Sequence, residues 1–267
     1  MKSIATAKGL LIDLDGTLYH GHVRIEGADR FIGYLRSNGI PYLYVTNNSS
    51  ATPEEVASRL VGMGIPAEAE DVCTSAQAAA GHIAETSPGA SVFVIGESGL
   101  CTALLDAGLH LTEKEPDYVV QGIDRQLTYE RAARAVTFIR GGAGSILTNP
   151  DLLLPTAGGF MPGAGSIGAM LQAASGVKPT LIGKPSDILM NYALGRLGTL
   201  ADETWVIGDN VATDIAAGIA AGCGTMLLLT GLTNADNMEH YIEAAGCKPD
   251  SICQSLDQLI AELGRRS

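Results

Sequence analysis

Two carboxylates, Asp13 and Asp15, close an apolar run in Leu11-Ile12-Asp13-Leu14-Asp15-Gly16-Thr17. Ionised groups at the end of a buried strand are costly unless something compensates them. Residues i and i+2 of a strand share a face, so both acids can converge on one point, and Gly16 lets the chain turn away sharply. A second acidic pair stands in Val206-Ile207-Gly208-Asp209-Asn210-Val211-Ala212-Thr213-Asp214. Asp209 again ends an apolar run. Asp214 falls in the first turns of the helix expected next, where the helix dipole favours an anion. Asp13, Asp15, Asp209 and Asp214 together read as an all-oxygen site for a hard cation. Mg²⁺ suits it, because that ion keeps several waters and shares its shell with substrate phosphate.

The complementary groups lie in two further segments. Thr46-Asn47-Asn48 offers a hydroxyl, amides and backbone N–H groups, all able to hold phosphate oxygens. Gly183-Lys184-Pro185 places Lys184 ahead of a helix beginning at Ser186-Asp187. A cation there offsets the clustered carboxylates and a phosphate. One such pair at ~4 Å is worth about 4 kcal/mol at an effective dielectric of 20. The segment is not a P-loop, since Pro185 replaces the required Ser or Thr.

Positioning these residues calls for strands that alternate with helices. Short apolar runs at Gly9–Leu14, Pro41–Val45, Ser91–Ile95, Tyr118–Val120, Ser145–Leu147, Thr204–Ile207 and Thr225–Leu229 read as buried strands. Helical patterns fill the gaps, as at Tyr129–Ile139 and Ser186–Leu197, and Thr52-Pro53-Glu54-Glu55 is a helix start. This is the pattern of an α/β protein with a mostly parallel sheet. The Ala-rich stretch Ala76–Ala80 and the loop Ala174–Pro179 bracket a second set of alternating elements. The expected organisation is a discontinuous core, residues 1–77 and 180–267, with an inserted domain at 78–179.

The 267 residues are 46% apolar, enough to bury a sizeable core. A net charge of −12, without a basic cluster, argues against nucleic acid. No apolar run approaches the ~18 residues of a membrane span, and Asp13 and Asp15 break any signal-peptide pattern. Five cysteines without a CxxC suggest neither a disulfide framework nor a thiolate cage. These features point to a soluble protein of a reducing compartment, the cytoplasm.

In order along the chain, the four segments resemble the motifs of the haloacid dehalogenase (HAD) superfamily. They are DxDGT (Asp13–Thr17), the Thr of TNN (Thr46), the Lys of GKP (Lys184) and GDNxxTD (Gly208–Asp214). Gly27-Ala28, Thr148-Asn149-Pro150-Asp151, Pro162-Gly163-Ala164-Gly165-Ser166 and Thr213–Gly218 look like its NagD-like phosphatases, so the resemblance spans nearly the whole chain. It implies a doubly wound, Rossmann-like core with an α/β cap inserted between the second and third motifs. It also implies hydrolysis of a small soluble phosphomonoester of nucleotide, sugar phosphate, phosphoglycolate or pyridoxal phosphate type. Asp13 would be the nucleophile, and Asp15 the acid and then the base. Mg²⁺ would be held by Asp13, the backbone carbonyl of Asp15 and Asp209, with Asp214 one layer further out. Thr46, Asn47, Asn48 and Lys184 would grip the phosphoryl group. A homodimer formed through the cap and a loop at Thr148–Asp151 that faces the active site are implied in the same way.

Other readings are weaker. Dehalogenation or phosphonate cleavage would not need the second Asp of DxD, which protonates an alkoxide. A phosphate-binding regulator without turnover sits poorly with intact Asp13, Asp15, Lys184 and Asp209. Gly163–Gly168 fits GxGxxG, but Gly158–Pro162 before it reads as a loop, so no dinucleotide fold is expected. His20-Gly21-His22 lacks partners at zinc-ligand spacing and reads as a solvated loop.

Overall fold

A computed structural model describes residues 3–156 and 158–265. Met1, Lys2, Ala157, Arg266 and Ser267 lie outside the described residues, and with them the outermost ends of the expected core range and one residue of the inserted range. The chain divides into two compact units. One comprises Met1–Thr46, Glu54–Cys73 and Lys184–Ser267; the other comprises Asn47–Pro53 and Thr74–Gly183. The short piece Asn47–Pro53 thus groups with the second unit although its neighbours on both sides group with the first.

The first unit is built on a six-stranded sheet in the order Ser251–Cys253, Gly224–Leu228, Thr204–Gly208, Gly9–Ile12, Tyr42–Thr46, Val72–Thr74. Gly9–Ile12 lies between two parallel neighbours, with Leu11 opposite both Val206 and Leu43. All four of its residues are buried, which is why the sequence shows an unbroken apolar run there and not an alternation. The chain adds strands on one side of Gly9–Ile12 first, and returns to build Thr204–Gly208 and its successors on the other side. The carboxyl ends of Gly9–Ile12 and Thr204–Gly208 are therefore the point where the winding reverses, the usual place for a ligand in an open α/β sheet. Helix Ala28–Ser37 buries Ala28, Phe31, Ile32 and Leu35, one stripe at helical spacing.

The second unit carries its own five-stranded parallel sheet, ordered Thr180–Leu181, Gly144–Leu147, Tyr118–Gln121, Ser91–Ile95, His110–Leu111. Phe93, Ile95 and Val119 of this sheet pack with Ala135, Ile139, Ile167 and Leu171 of two helices. The helix at Ser75–Thr86 starts on a reciprocal cap in which Thr74 and Gln77 each bond the other's backbone N–H.

Two expected loops are strands. Gly159–Pro162 pairs antiparallel with Leu153–Thr156, placing a strand directly before the glycine motif. All four residues of Gly159–Pro162 are exposed, so no inside–outside alternation marked the strand, and Gly and Pro masked it by composition. The strand belongs to a hairpin and not to a parallel βαβ unit, so the dinucleotide fold is still absent there. His20 and His22 sit on and beside a second small hairpin, Tyr19–His20 with Val23–Arg24. Among the described residues no helix is long and apolar enough to cross a membrane.

Candidate active site

Asp13 leaves the sheet directly after Ile12, its N–H still donating to the Ile207 carbonyl at 2.9 Å. Gly16 then turns the chain with φ +88°, and a side chain there would collide with the Asp209 carboxylate. Only glycine satisfies both demands at once. The turn is closed by Gly16 N–H donating to the Tyr19 carbonyl at 2.8 Å.

Asp13, Asp209 and Asp214 each bring one carboxylate oxygen within 4.8 Å of the others. Asp209 and Asp214 are buried. Lys184, also buried, lies among them: its ammonium donates to Asp13 Oδ1, to Asp214 Oδ1 at 2.6 Å and to the Val45 carbonyl at 3.2 Å. The other Asp214 oxygen accepts from Asn210 N–H at 3.1 Å. The Thr17 hydroxyl donates to Asp13 Oδ2 at 3.2 Å. Thr46, at the end of its strand, is buried in the same unit.

Asp214 was expected on an ordinary helix start. It lies instead in a π-helical turn, Val211–Ile215, where Ile215 N–H reaches back five residues to the Asn210 carbonyl at 3.3 Å. Such wide turns recur at functional sites because they re-aim a side chain by one position.

The electrostatics follow from burial and crowding. Burial raises the Asp209 carboxyl well above the usual range, and the charges of Asp13 and Asp214 raise it further. Asp214 is raised by burial and by Asp13, and pulled back by Lys184. Burial alone would lower Lys184, but Asp13 and Asp214 outweigh it and hold the ammonium charged. Asp15, whose side chain reaches the surface, is raised first by the packing around it and then by the charge of Asp13.

Asn47 and Asn48 belong to the second unit. The Asn48 side-chain oxygen accepts from Ser50 N–H at 2.8 Å and Ala51 N–H at 3.2 Å, closing a local turn. The Thr230–Thr233 loop was not anticipated. Leu232 N–H donates to Asp209 Oδ2, Thr233 N–H to the Asp209 carbonyl at 3.2 Å, and Thr230 Oγ1 to the Gly16 carbonyl at 2.9 Å. A side chain on Gly231 would run into the Asp209 carboxylate. The signal was present, since Thr230-Gly231 directly follows an apolar strand at the same sheet edge.

The donor set fits a hard divalent cation. It is all oxygen, has two of its three carboxylates buried, and carries more negative charge than Lys184 can offset. Family models match this chain over residues 10–110, as haloacid dehalogenase-like hydrolases, and over residues 181–259, as HAD-hydrolase-like. The chain is 48% identical to the 5'-nucleotidase YutF of Bacillus subtilis, over 96% of its own length and 98% of the relative's. It is 46% identical to an acid sugar phosphatase of Staphylococcus aureus, with the same coverage of 96% and 98%. The glycerol phosphate phosphatase of Mycobacterium tuberculosis, solved in complex with magnesium, superposes with a TM-score of 0.88 at 39% identity, covering 97% of this chain and 79% of that one. The protein belongs to the HAD-like hydrolases, in their NagD/p-nitrophenyl phosphatase subfamily.

Proposed function

We propose that this phosphoric monoester hydrolase works through an aspartyl-phosphate on Asp13 and accepts small phosphomonoesters of the nucleotide, sugar phosphate and glycerol phosphate kinds on which its relatives are named to act. The observation that carries the reading is Lys184, held charged between Asp13 and Asp214 with Asp209 beside them, at the point where the sheet reverses its winding. Asp13 attacks phosphorus, the bond from phosphorus to the ester oxygen breaks, and Asp15 delivers its proton to the departing alkoxide. Asp15 then takes a proton from the water that attacks the phosphoryl group, and the bond to Asp13 breaks to release phosphate. Thr46, the Asn47 and Asn48 backbone, and Lys184 hold the phosphoryl oxygens. Asp13, the Asp15 carbonyl and Asp209 are the groups that would hold Mg²⁺, which when bound supplies positive charge against the phosphoryl oxygens. Asp214, with both oxygens engaged by Lys184 and Asn210, is the outer member. The unit containing Thr74–Gly183 is read as the cap that selects the leaving group.

A panel of phosphomonoesters assayed with Mg²⁺ and with EDTA tests the reading. Turnover is expected with the metal and none with the chelator; turnover undiminished by EDTA would refute it. Asp209→Ala takes away one of two direct carboxylates and should raise the Mg²⁺ concentration for half activity at least about tenfold, or abolish activity. An active variant with the wild-type Mg²⁺ requirement would remove Asp209 from the metal.

Asp15→Asn should lower turnover of alkyl phosphates by about 10²- to 10⁴-fold. The loss should be much smaller for p-nitrophenyl phosphate, because nitrophenolate leaves without a proton. Since the Asp15 carboxyl is raised, wild-type activity on alkyl phosphates should fall as pH climbs through that raised value, and this limb should vanish in the variant. Equal losses for both substrate kinds would argue against the acid role.

A further inference from the structure

The loop Thr148-Asn149-Pro150-Asp151 ends a strand of the second unit and was expected to face the substrate. Asn149 is held within its own unit. It is buried, and its Nδ2 donates to the Asn47 main-chain carbonyl at 2.8 Å. The same carbonyl accepts from the Ser75 hydroxyl at 2.7 Å, and Ser75 is fully buried. Beside them, the Ser49 and Thr148 hydroxyls bond each other at 3.0 Å. These contacts seat Asn47–Pro53 in the second unit, although Thr46 immediately before it belongs to the first.

We propose that Asn149 and Ser75 are positioning residues for the phosphate grip: together they clamp the Asn47 carbonyl and so fix the backbone that follows Thr46. The inference rests on the reading of Thr46 and the Asn47 and Asn48 backbone as phosphate ligands. Peptide planarity makes it work. The Asn47 carbonyl and the Asn48 N–H belong to one rigid trans plane, so two donors on the oxygen set the orientation of the whole plane and the ψ of Asn47. A grip assembled before the phosphate arrives needs no reorganisation during the reaction, which is where such donors gain their effect. Misplacing it by a fraction of an ångström affects every substrate alike, because all present the same phosphoryl group.

The test uses the full chain with Mg²⁺ and the variants Asn149→Ala, Asn149→Asp and Ser75→Ala. Asn149→Asp keeps the size but presents an acceptor to an acceptor; Ser75→Ala removes one oxygen and nothing else. Each folded variant should lose about tenfold in kcat on every member of the panel, with the ranking of substrates preserved. Inhibition by inorganic phosphate should weaken by a similar factor, and half-activating Mg²⁺ should stay put. The Asn149→Ala/Ser75→Ala double variant should lose less than the product of the single losses, since both donors serve one acceptor. A reordered panel with unchanged phosphate inhibition would make Asn149 a substrate contact and overturn the proposal. So would lowered melting temperatures with unchanged kcat and phosphate inhibition, which would leave only a structural role. Should Asn149→Ala fail to fold, Ser75→Ala decides by the same readouts. Asp13→Asn run alongside separates the two claims: if it stays active the underlying mechanism fails, and if it is dead while Ser75→Ala matches wild type, only the clamp fails.

Discussion

Asp13→Asn is expected to abolish hydrolysis of p-nitrophenyl phosphate, by about 10⁴- to 10⁶-fold, the scale on which removing the nucleophile of a covalent mechanism acts. A good leaving group cannot rescue this variant, because the missing step is the attack on phosphorus and not the departure of the alcohol. That sets it apart from Asp15→Asn. The amide has nearly the shape of the carboxylate, and Lys184 keeps its partner Asp214, so the fold should persist. Losing one charge from a crowded cluster also relieves Asp209 and Asp214, both of which Asp13 pushes upward. The melting temperature should therefore equal or exceed that of the wild type. Turnover near the wild-type rate would rule out the aspartyl-phosphate. Trapping labelled phosphate on the wild type by acid quench, and its absence from the variant, gives the direct check.

Lys184→Met should be nearly as severe, for a different reason. The ammonium is buried and holds Asp13 and Asp214 together, with Asp209 close by. Met fills most of the volume but leaves the carboxylates without a fixed opposite charge. Turnover should fall by about a hundred- to a thousandfold or more on all substrates together, the result expected of a donor to the phosphoryl group they share. Stripping one partner from a buried pair commonly costs 3–5 kcal/mol, so EDTA-treated variant should melt well below EDTA-treated wild type. Added Mg²⁺ should raise the melting temperature of the variant more than that of the wild type, because a bound cation replaces the missing charge. Equal stabilisation of both by Mg²⁺ would show that Lys184 does not offset the carboxylates in the way described.

Much of this centre was legible in the sequence because its residues sit at the ends of apolar strands. A carboxylate that closes an unbroken apolar run, as Asp13 and Asp209 do, stands out against its surroundings, and the parallel sheet brings such ends to one edge. Lys184 was legible only in combination, since a single lysine before a helix is ordinarily a surface residue. The Thr230–Thr233 loop escaped notice because it acts mainly through main-chain N–H groups and close glycine packing, and its one mark in the sequence was Thr230-Gly231 after an apolar strand. The π-helical turn at Asp214 escaped for a similar reason: the spacing Asp209 to Asp214 is the same for either kind of turn.

The sequence alone determined the α/β class, most of the buried strands, the acids and lysine proposed to do the chemistry, and their order along the chain. Those properties reside in local composition and periodicity. Only the tertiary structure decided that Lys184 reaches Asp13 and Asp214 at once, that Gly16 and Gly231 make room for the Asp209 carboxylate, and that Asn149 turns to Asn47. Each of these joins residues between about twenty and nearly two hundred positions apart. The physical reason is that a hydrogen bond or a close approach is fixed by where the sheet places two backbones, and one chain read in order carries no record of that distance.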